Sequence, residues 1–138
     1  MRDLKSNIES VVGFAAEALD ADNTPAAIDL NGYSSALIEF SVGAGGITFT
    51  TTNKVEFKLT HSDDNSTYTA VDIDDVDLTD SNISAVGTGG IVYSLIAAHA
   101  AATVVNVGYV GNKRYLKVLA DFSGTHGTAT PMACSVIK

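Results

Sequence analysis

Residues 105–122 have the sequence VNVGYVGNKRYLKVLADF, in which two alternating apolar runs are separated by glycine and asparagine. A period of two is typical of a β-strand with one buried face and does not fit a helix. Because Gly111 and Asn112 accept a positive φ at low cost, the stretch predicts a β-hairpin that turns at these two residues. The rest of the chain is then expected to supply strands that cover this hairpin.

The same alternation recurs in residues 36–42 and 55–61, which are therefore predicted to be strands. Residues 47–52 are β-branched and aromatic, and residues 128–137 form a closing strand in which Pro131 indicates a bulge or an edge position. The side chains predicted to face the core are Phe40, Phe57, Leu59, Leu116, Val118 and Phe122. Short strands separated by turn residues predict an all-β fold, an antiparallel β-sandwich or jelly-roll-like barrel of about eight strands.

The first residues follow neither this strand alternation nor a clear helical pattern. Gly13 weakens a helix at this point, so residues 1–12 are predicted to form a short helix or an extended N-terminal arm. A single β-sandwich domain is expected over residues 13–138. One sandwich would leave the apolar side chains of the arm poorly covered, and clustered exposed apolar residues mark interaction surfaces. The predicted interface residues are Leu4, Ile8, Val11 and Val12.

Composition argues against several classes of partner. The 138-residue chain has a net charge of −8, whereas nucleic acid and anionic membranes are bound by clustered Lys and Arg. No apolar run approaches the length of a membrane span, and no secretion signal is recognisable. The single cysteine, Cys134, excludes an internal disulfide and is expected to behave as a small buried hydrophobe.

The sequence indicates no catalytic site and no cofactor. The acidic run over residues 72–80 suggests calcium, but Asp77 stands where an EF-hand loop requires glycine and no glutamate closes the loop. A solvated acidic loop is the preferred interpretation. The histidines His61, His99 and His126 lie in separate segments without metal-ligand spacing, and no nucleophile-elbow motif is present.

Three segments carry a family resemblance. They are AIDLNGYSSA at residues 27–36, FKLTHSDDNSTYTAV at residues 57–71 and VGYVGNKRYLKV at residues 107–118. They resemble a family of small virion proteins of tailed bacteriophages, in which a strand ends in SDD before a turn. A later strand of that family has the pattern G-x-K-R-Y-hydrophobic-K/R-V. The similarity covers residues 21–138, although the chain stops soon after the final strand, where family members continue.

The resemblance implies a capsid decoration or cement subunit that is made in the host cytoplasm and binds the outside of the head. Its expected partners are the major capsid protein and further copies of itself, as a homotrimer at local three-fold positions. Such a protein is not an enzyme. Two alternatives stay open, a component of the phage neck or tail and a carbohydrate-binding β-sandwich module.

Overall fold

Two antiparallel β-sheets make up the fold in the computed structural model, which describes residues 3–79, 83 and 85–138. Within these ranges the helical segments are two 3₁₀ turns, Lys5–Asn7 and Ile73–Asp75, and no helix is long and apolar enough to cross a membrane. The predicted all-β antiparallel sandwich is therefore confirmed. The strands are β1 Ser10–Leu19, β2 Ile28–Asp29, β3 Ala36–Val42, β4 Lys54–Ser62, β5 Thr69–Ala70, β6 Val76–Asp77, β7 Ile91–Leu95, β8 Thr103–Tyr109, β9 Tyr115–Ser123 and β10 Thr130–Ile137.

The strands are distributed so that the chain repeatedly crosses from one sheet to the other. Sheet A has the order β1-β10-β3-β8-β6, and sheet B has the order β2-β9-β4, with β5 and β7 both paired to the other side of β4. Among the described strands, β4 and β5 are the one consecutive pair that shares a sheet. Nearly every connection therefore passes over an end of the sandwich.

The predicted hairpin over residues 105–122 is wrong, although both of its strands exist. β8 pairs with β3 and β6 in sheet A, whereas β9 pairs with β4 and β2 in sheet B. Neither Gly111 nor Asn112 has the positive φ on which the hairpin prediction rested. The backbone N–H groups of Val110 and Gly111 instead donate to the carbonyl oxygen of Asp75, at 2.8 and 3.0 Å. The turn thus carries the chain between the sheets.

Residues 47–52 form a loop and not the predicted strand. The hydroxyl oxygen of Thr50 accepts hydrogen bonds from the backbone N–H groups of Thr52 and Asn53, at 3.3 and 3.0 Å, which closes a turn. Phe49 is buried, so the apolar composition of the segment reflects one anchoring side chain. Such local hydrogen bonds to a threonine side chain compete with strand pairing.

The first and last strands pair with each other at the side of sheet A. β10 lies between β1 and β3, so Pro131 is on an interior strand, and of the two predicted alternatives, a bulge or an edge position, the edge is excluded. The irregular pairing lies in β1, with register shifts between Val12 and Phe14 and between Phe14 and Glu17. Since β1 begins at Ser10, the predicted boundary between arm and body at residue 12 falls inside this strand.

The core lies between the two sheets and is centred on aromatic rings. Phe40 of β3 packs against Phe57 of β4 with ring centroids 4.7 Å apart, and Phe14 of β1 lies 6.4 Å from Phe57. Five of the six predicted core side chains are fully buried, and only Phe122 remains partly exposed. The fully buried five are Phe40, Phe57, Leu59, Leu116 and Val118.

We expect Phe57→Ala to lower the free energy of unfolding by about 3–5 kcal/mol, because truncating a buried aromatic side chain leaves a cavity. Phe122→Ala should cost clearly less, since part of that ring already contacts solvent. Chemical denaturation of both variants measures the difference. Val104→Ala, at an outward position of β8, is the control and should change stability by less than about 0.5 kcal/mol. Equal losses for the two phenylalanines would contradict the assigned core.

Candidate functional site

The predicted interface residues lie in two different parts of the structure. Leu4 and Ile8 belong to the N-terminal arm, defined from here on as residues 3–9, and Leu4 is 60% exposed. Val12 lies on β1 and is 68% exposed on the outer face of sheet A. Val11, its neighbour on the same strand, packs against the core instead. Three of the four residues are thus available for contact with another molecule.

The arm folds on itself rather than onto the sandwich. The Asp3 carboxylate accepts hydrogen bonds from the backbone N–H and the hydroxyl of Ser6, and these bonds lower the pKa of Asp3. The backbone N–H of Asn7 donates to the carbonyl oxygen of Leu4 at 3.1 Å, which completes the turn. Because these bonds are internal to the arm, they hold the Leu4 side chain away from the core.

The arm is anchored to the body at Glu9. The backbone N–H of Glu9 donates to the carbonyl oxygen of Lys138 at 2.6 Å, and the N–H of Lys138 donates back at 2.9 Å. The Lys138 ammonium lies 3.3 Å from the Glu9 carboxylate, which also accepts from the Tyr33 hydroxyl at 3.1 Å. The arm therefore leaves the sandwich from a fixed point beside the end of β10.

A groove lies beside the arm on the outer face of sheet A, and we call it the arm groove. Its cavity volume is about 510 Å³. Pairing across three strands places Leu37 of β3 next to Gly108 of β8, and Gly108 next to Asp77 of β6. Gly108 has no side chain to fill the floor of the groove, and a Cβ at this position would lie only 3.1 Å from the Asp77 Cβ. Further apolar walls are Ile8, Val110 and Ile137.

The wall of the arm groove at Asp77 is acidic. Asp77 is exposed, and hydrogen bonds from the side chain and backbone of Thr79 lower the pKa of its carboxyl group. The backbone bond spans 2.9 Å. No basic side chain within the described residues pairs with Asp77, so this wall presents a negative charge beside the apolar floor. Lys138, which also lines the groove, is paired with Glu9.

The outer face of sheet A carries few charges, and these include the carboxylates of Glu39 on β3 and Asp77 on β6. None of its four longer strands, β1, β3, β8 and β10, contains Lys or Arg. Val104 on this face is 56% exposed. Sheet B differs, since Lys54 and Lys58 of β4 and Lys117 of β9 lie at its outward positions. The outward side chains of sheet A include Val12, Leu37, Glu39, Ser41, Val104, Asn106, Ala133 and Ser135.

The three segments that carry the family resemblance meet at the end of the sandwich where the arm groove lies. Arg114 donates from Nε and an Nη atom to the Asp29 carboxylate, at 2.9 and 2.7 Å, and this pair lowers the pKa of Asp29 to about 2. Lys113 forms an ion pair with Asp63 in the SDD turn. These contacts join residues 27–36, 57–71 and 107–118 and hold the three segments together at this end of the sandwich.

A buried polar cluster ties the two sheets together at the same end. The Tyr109 hydroxyl of β8 lies 3.0 Å from Nδ1 of His61 on β4, and it accepts from the backbone N–H of Lys113 at 3.2 Å. Burial raises the pKa of Tyr109. Asp75 lies 3.8 Å from Nε2 of His61, beyond hydrogen-bond distance. Sequence reasoning left His61 without a partner, although the alternation Val105, Val107, Tyr109 already placed the tyrosine on the inward face.

The other candidate residues form separate structural contacts. His99 and His126 flank Phe49, with ring centroids 5.4 and 6.2 Å away, and their Nε2 atoms lie near backbone carbonyl oxygens. Cys134 is buried, which raises the pKa of its thiol to about 12. In the predicted acidic loop, Asp72 caps the turn Ile73–Asp75, and Asp80 lies outside the described residues. Within the described ranges no group of His, Cys, Asp and Glu side chains is suited to a metal ion.

Comparisons with known proteins identify no relative of this chain, so the surfaces described above are the basis for interpreting its function. No family model, no curated protein and no solved structure matches the chain at a significant level. The arm, the arm groove and the outer face of sheet A are the surfaces on which that interpretation rests.

We expect Tyr109→Phe to lower the free energy of unfolding by about 1–3 kcal/mol, because it leaves buried partners of the hydroxyl without a hydrogen bond. Tyr33→Phe removes a hydroxyl of the same kind from an exposed pair and should cost no more than about 0.5 kcal/mol. Chemical denaturation compares the two variants. A Tyr109→Phe protein as stable as the Tyr33→Phe protein would show that the cluster does not tie the sheets.

The SDD turn should contribute to acid sensitivity through Asp64. Its carboxylate accepts from the backbone N–H groups of Thr67 and Ser66 and from the Ser62 hydroxyl, which lowers its pKa from 3.8 to about 2. Since the folded-state pKa is depressed, the stabilisation is complete above pH 4 and is lost as the pH falls through about 2. Unfolding free energy measured from pH 5 to 2 should therefore fall less steeply in Asp64→Ala than in the parent chain.

Proposed function

We propose that this chain is a structural subunit of a tailed-bacteriophage virion, a decoration or cement protein that binds the outside of the head and stabilises it. The observation that carries the proposal is the outer face of sheet A, whose four longer strands contain no Lys or Arg and on which Val12 and Val104 are exposed. The sequence resemblance of residues 27–36, 57–71 and 107–118 supplies the virion context. The partner is the major capsid protein.

A cement subunit needs a rigid fold with one adhesive face. The two sheets are locked by the Phe40–Phe57 contact and by the Tyr109 cluster, so the outer face of sheet A is held in one shape. Removing apolar surface from water contributes roughly 25 cal/mol per Å². The exposed apolar side chains Val12 and Val104 favour binding through this face, whereas covering sheet B would remove charge hydration from its outward lysines.

Several copies acting together strengthen such binding. A weak contact per subunit becomes tight when subunits are joined, because the second contact forms at a high effective concentration. We propose a homotrimer for this reason, since shells offer repeated three-fold positions. The outer faces of the three copies then contact neighbouring capsid subunits at the same time.

Val104→Lys is expected to abolish binding to undecorated capsids, because it places an unpaired charge in the centre of the apolar contact. Ile96→Lys changes another exposed apolar side chain, 47% exposed and placed after β7, and should bind as the parent chain does. Co-sedimentation with capsids gives the bound fraction, and thermal melting confirms that both variants are folded. Undiminished capsid binding by Val104→Lys would rule out the outer face as the adhesive surface.

Electron cryo-microscopy of the virion tests the location. The proposal requires density for this chain on the outside of the capsid hexamers. Density only at the neck or tail would replace it with the alternative structural role.

A further inference from the structure

The arm carries one lysine, Lys5, beside the Asp3 carboxylate, which is already bonded to Ser6. The Lys5 side chain is exposed and makes no hydrogen bond, ion pair or ring contact with any described residue. Every other basic side chain in those ranges contacts a carboxylate or an aromatic ring. These others are Lys54, Lys58, Lys113, Arg114, Lys117 and Lys138.

One wall of the arm groove carries the opposite charge. Asp77 stands on its wall, exposed, with hydrogen bonds from Thr79 and with no basic partner among the described residues. Glu39 lies on the same face of β3 as Leu37, two residues further along the strand. A cation brought to the groove by another molecule therefore meets an acidic wall.

The apolar surfaces of the arm and the groove also complement each other. Leu4 projects from the arm and is 60% exposed, because the turn at Lys5–Asn7 is closed by its own hydrogen bonds. The groove exposes Leu37 on its floor and Val110 on its wall. Both surfaces lose unfavourable contact with water when they meet.

We propose that the arm groove receives the N-terminal arm of a second copy of this chain, with Leu4 against Leu37 and Lys5 beside Asp77. The proposal rests on the proposed role as a repeated structural subunit and identifies the contact between its copies. The contact joins two different surfaces of the molecule, so it can repeat around a ring and close the proposed trimer. It needs no capsid and forms in the purified protein.

Cysteine cross-linking between two separately purified variants tests the contact directly. Leu4→Cys is mixed with Leu37→Cys under mild oxidation, and disulfide-linked pairs of chains are measured on non-reducing gels. The native Cys134 does not interfere, because it is buried and its thiol pKa is raised to about 12. Val104→Cys replaces Leu37→Cys as the matched control, since it lies on the same outer face outside the groove.

We expect the pair Leu4→Cys and Leu37→Cys to link at least about tenfold faster than the pair Leu4→Cys and Val104→Cys. Equal rates would overturn the proposal, as would a parent chain that sediments as a monomer. Docking of the arm in the groove of its own chain would give no link between chains, and this result would also overturn the proposal. Failure of the parent chain to bind capsids would remove the proposed function but leave this result standing.

Charge reversal provides a second test on sedimentation equilibrium. Lys5→Glu and Asp77→Lys should each raise the dissociation constant of the assembly roughly three- to tenfold, since attraction becomes repulsion at a screened surface. The double variant, which restores opposite charges, should recover most of the loss. A double variant that is as weak as the two single variants combined would exclude the pairing of Lys5 with Asp77.

Discussion

The contact between Phe40 and Phe57 is the interaction on which the rest of the fold depends. β3 and β4 are the strands that carry these rings, and each has neighbours on both sides within its sheet. Every other strand pairs with β3 or β4, or with a strand that does. Because a shift of one residue in either strand would turn its whole apolar set outward, this buried contact also fixes the register of both sheets.

The two ends of the sandwich are closed by different chemistry. At the end with the arm groove, polar contacts dominate, with the Tyr109 hydroxyl between the sheets and two ion pairs joining three loops. At the other end, the Phe49 ring lies between two histidines. Polar closure positions hydrogen-bonding groups with defined directions, so it holds the arm groove in a fixed shape. Because the groove is already rigid, it loses less conformational entropy when a partner binds.

Periodicity in the sequence predicted the buried faces correctly but not the pairing of strands. The alternations at Phe57 and at Leu116 gave β4 and β9 as half-buried strands, and both lie where a period of two requires. A period of two does not specify which strands pair with each other. Gly111 and Asn112 therefore suggested a hairpin at the point where the chain crosses from sheet A to sheet B. In residues 47–52, one buried phenylalanine made a loop look like a strand.

The candidate site was visible in the sequence only in part. Exposure of Leu4 and Ile8 followed from their departure from the strand pattern. β1 begins earlier than predicted, so Val11 is covered, and Val12 is exposed because it points outward from that strand. The arm groove was not visible, since Leu37, Gly108 and Asp77 come from three distant segments. Only the cross-strand register brings them into one row. A surface built across strands requires knowledge of the topology.

The position of β10 has a consequence for biosynthesis. This strand lies between β1 and β3, so the earliest and the middle parts of the chain meet in sheet A only through residues 130–137. Before those residues leave the ribosome, β1 has no partner, and its apolar surface and unpaired backbone are open to other nascent chains. Sheet A therefore closes only once residues 130–137 have been made, and a ribosome that stalls before residue 130 releases a chain that cannot complete it.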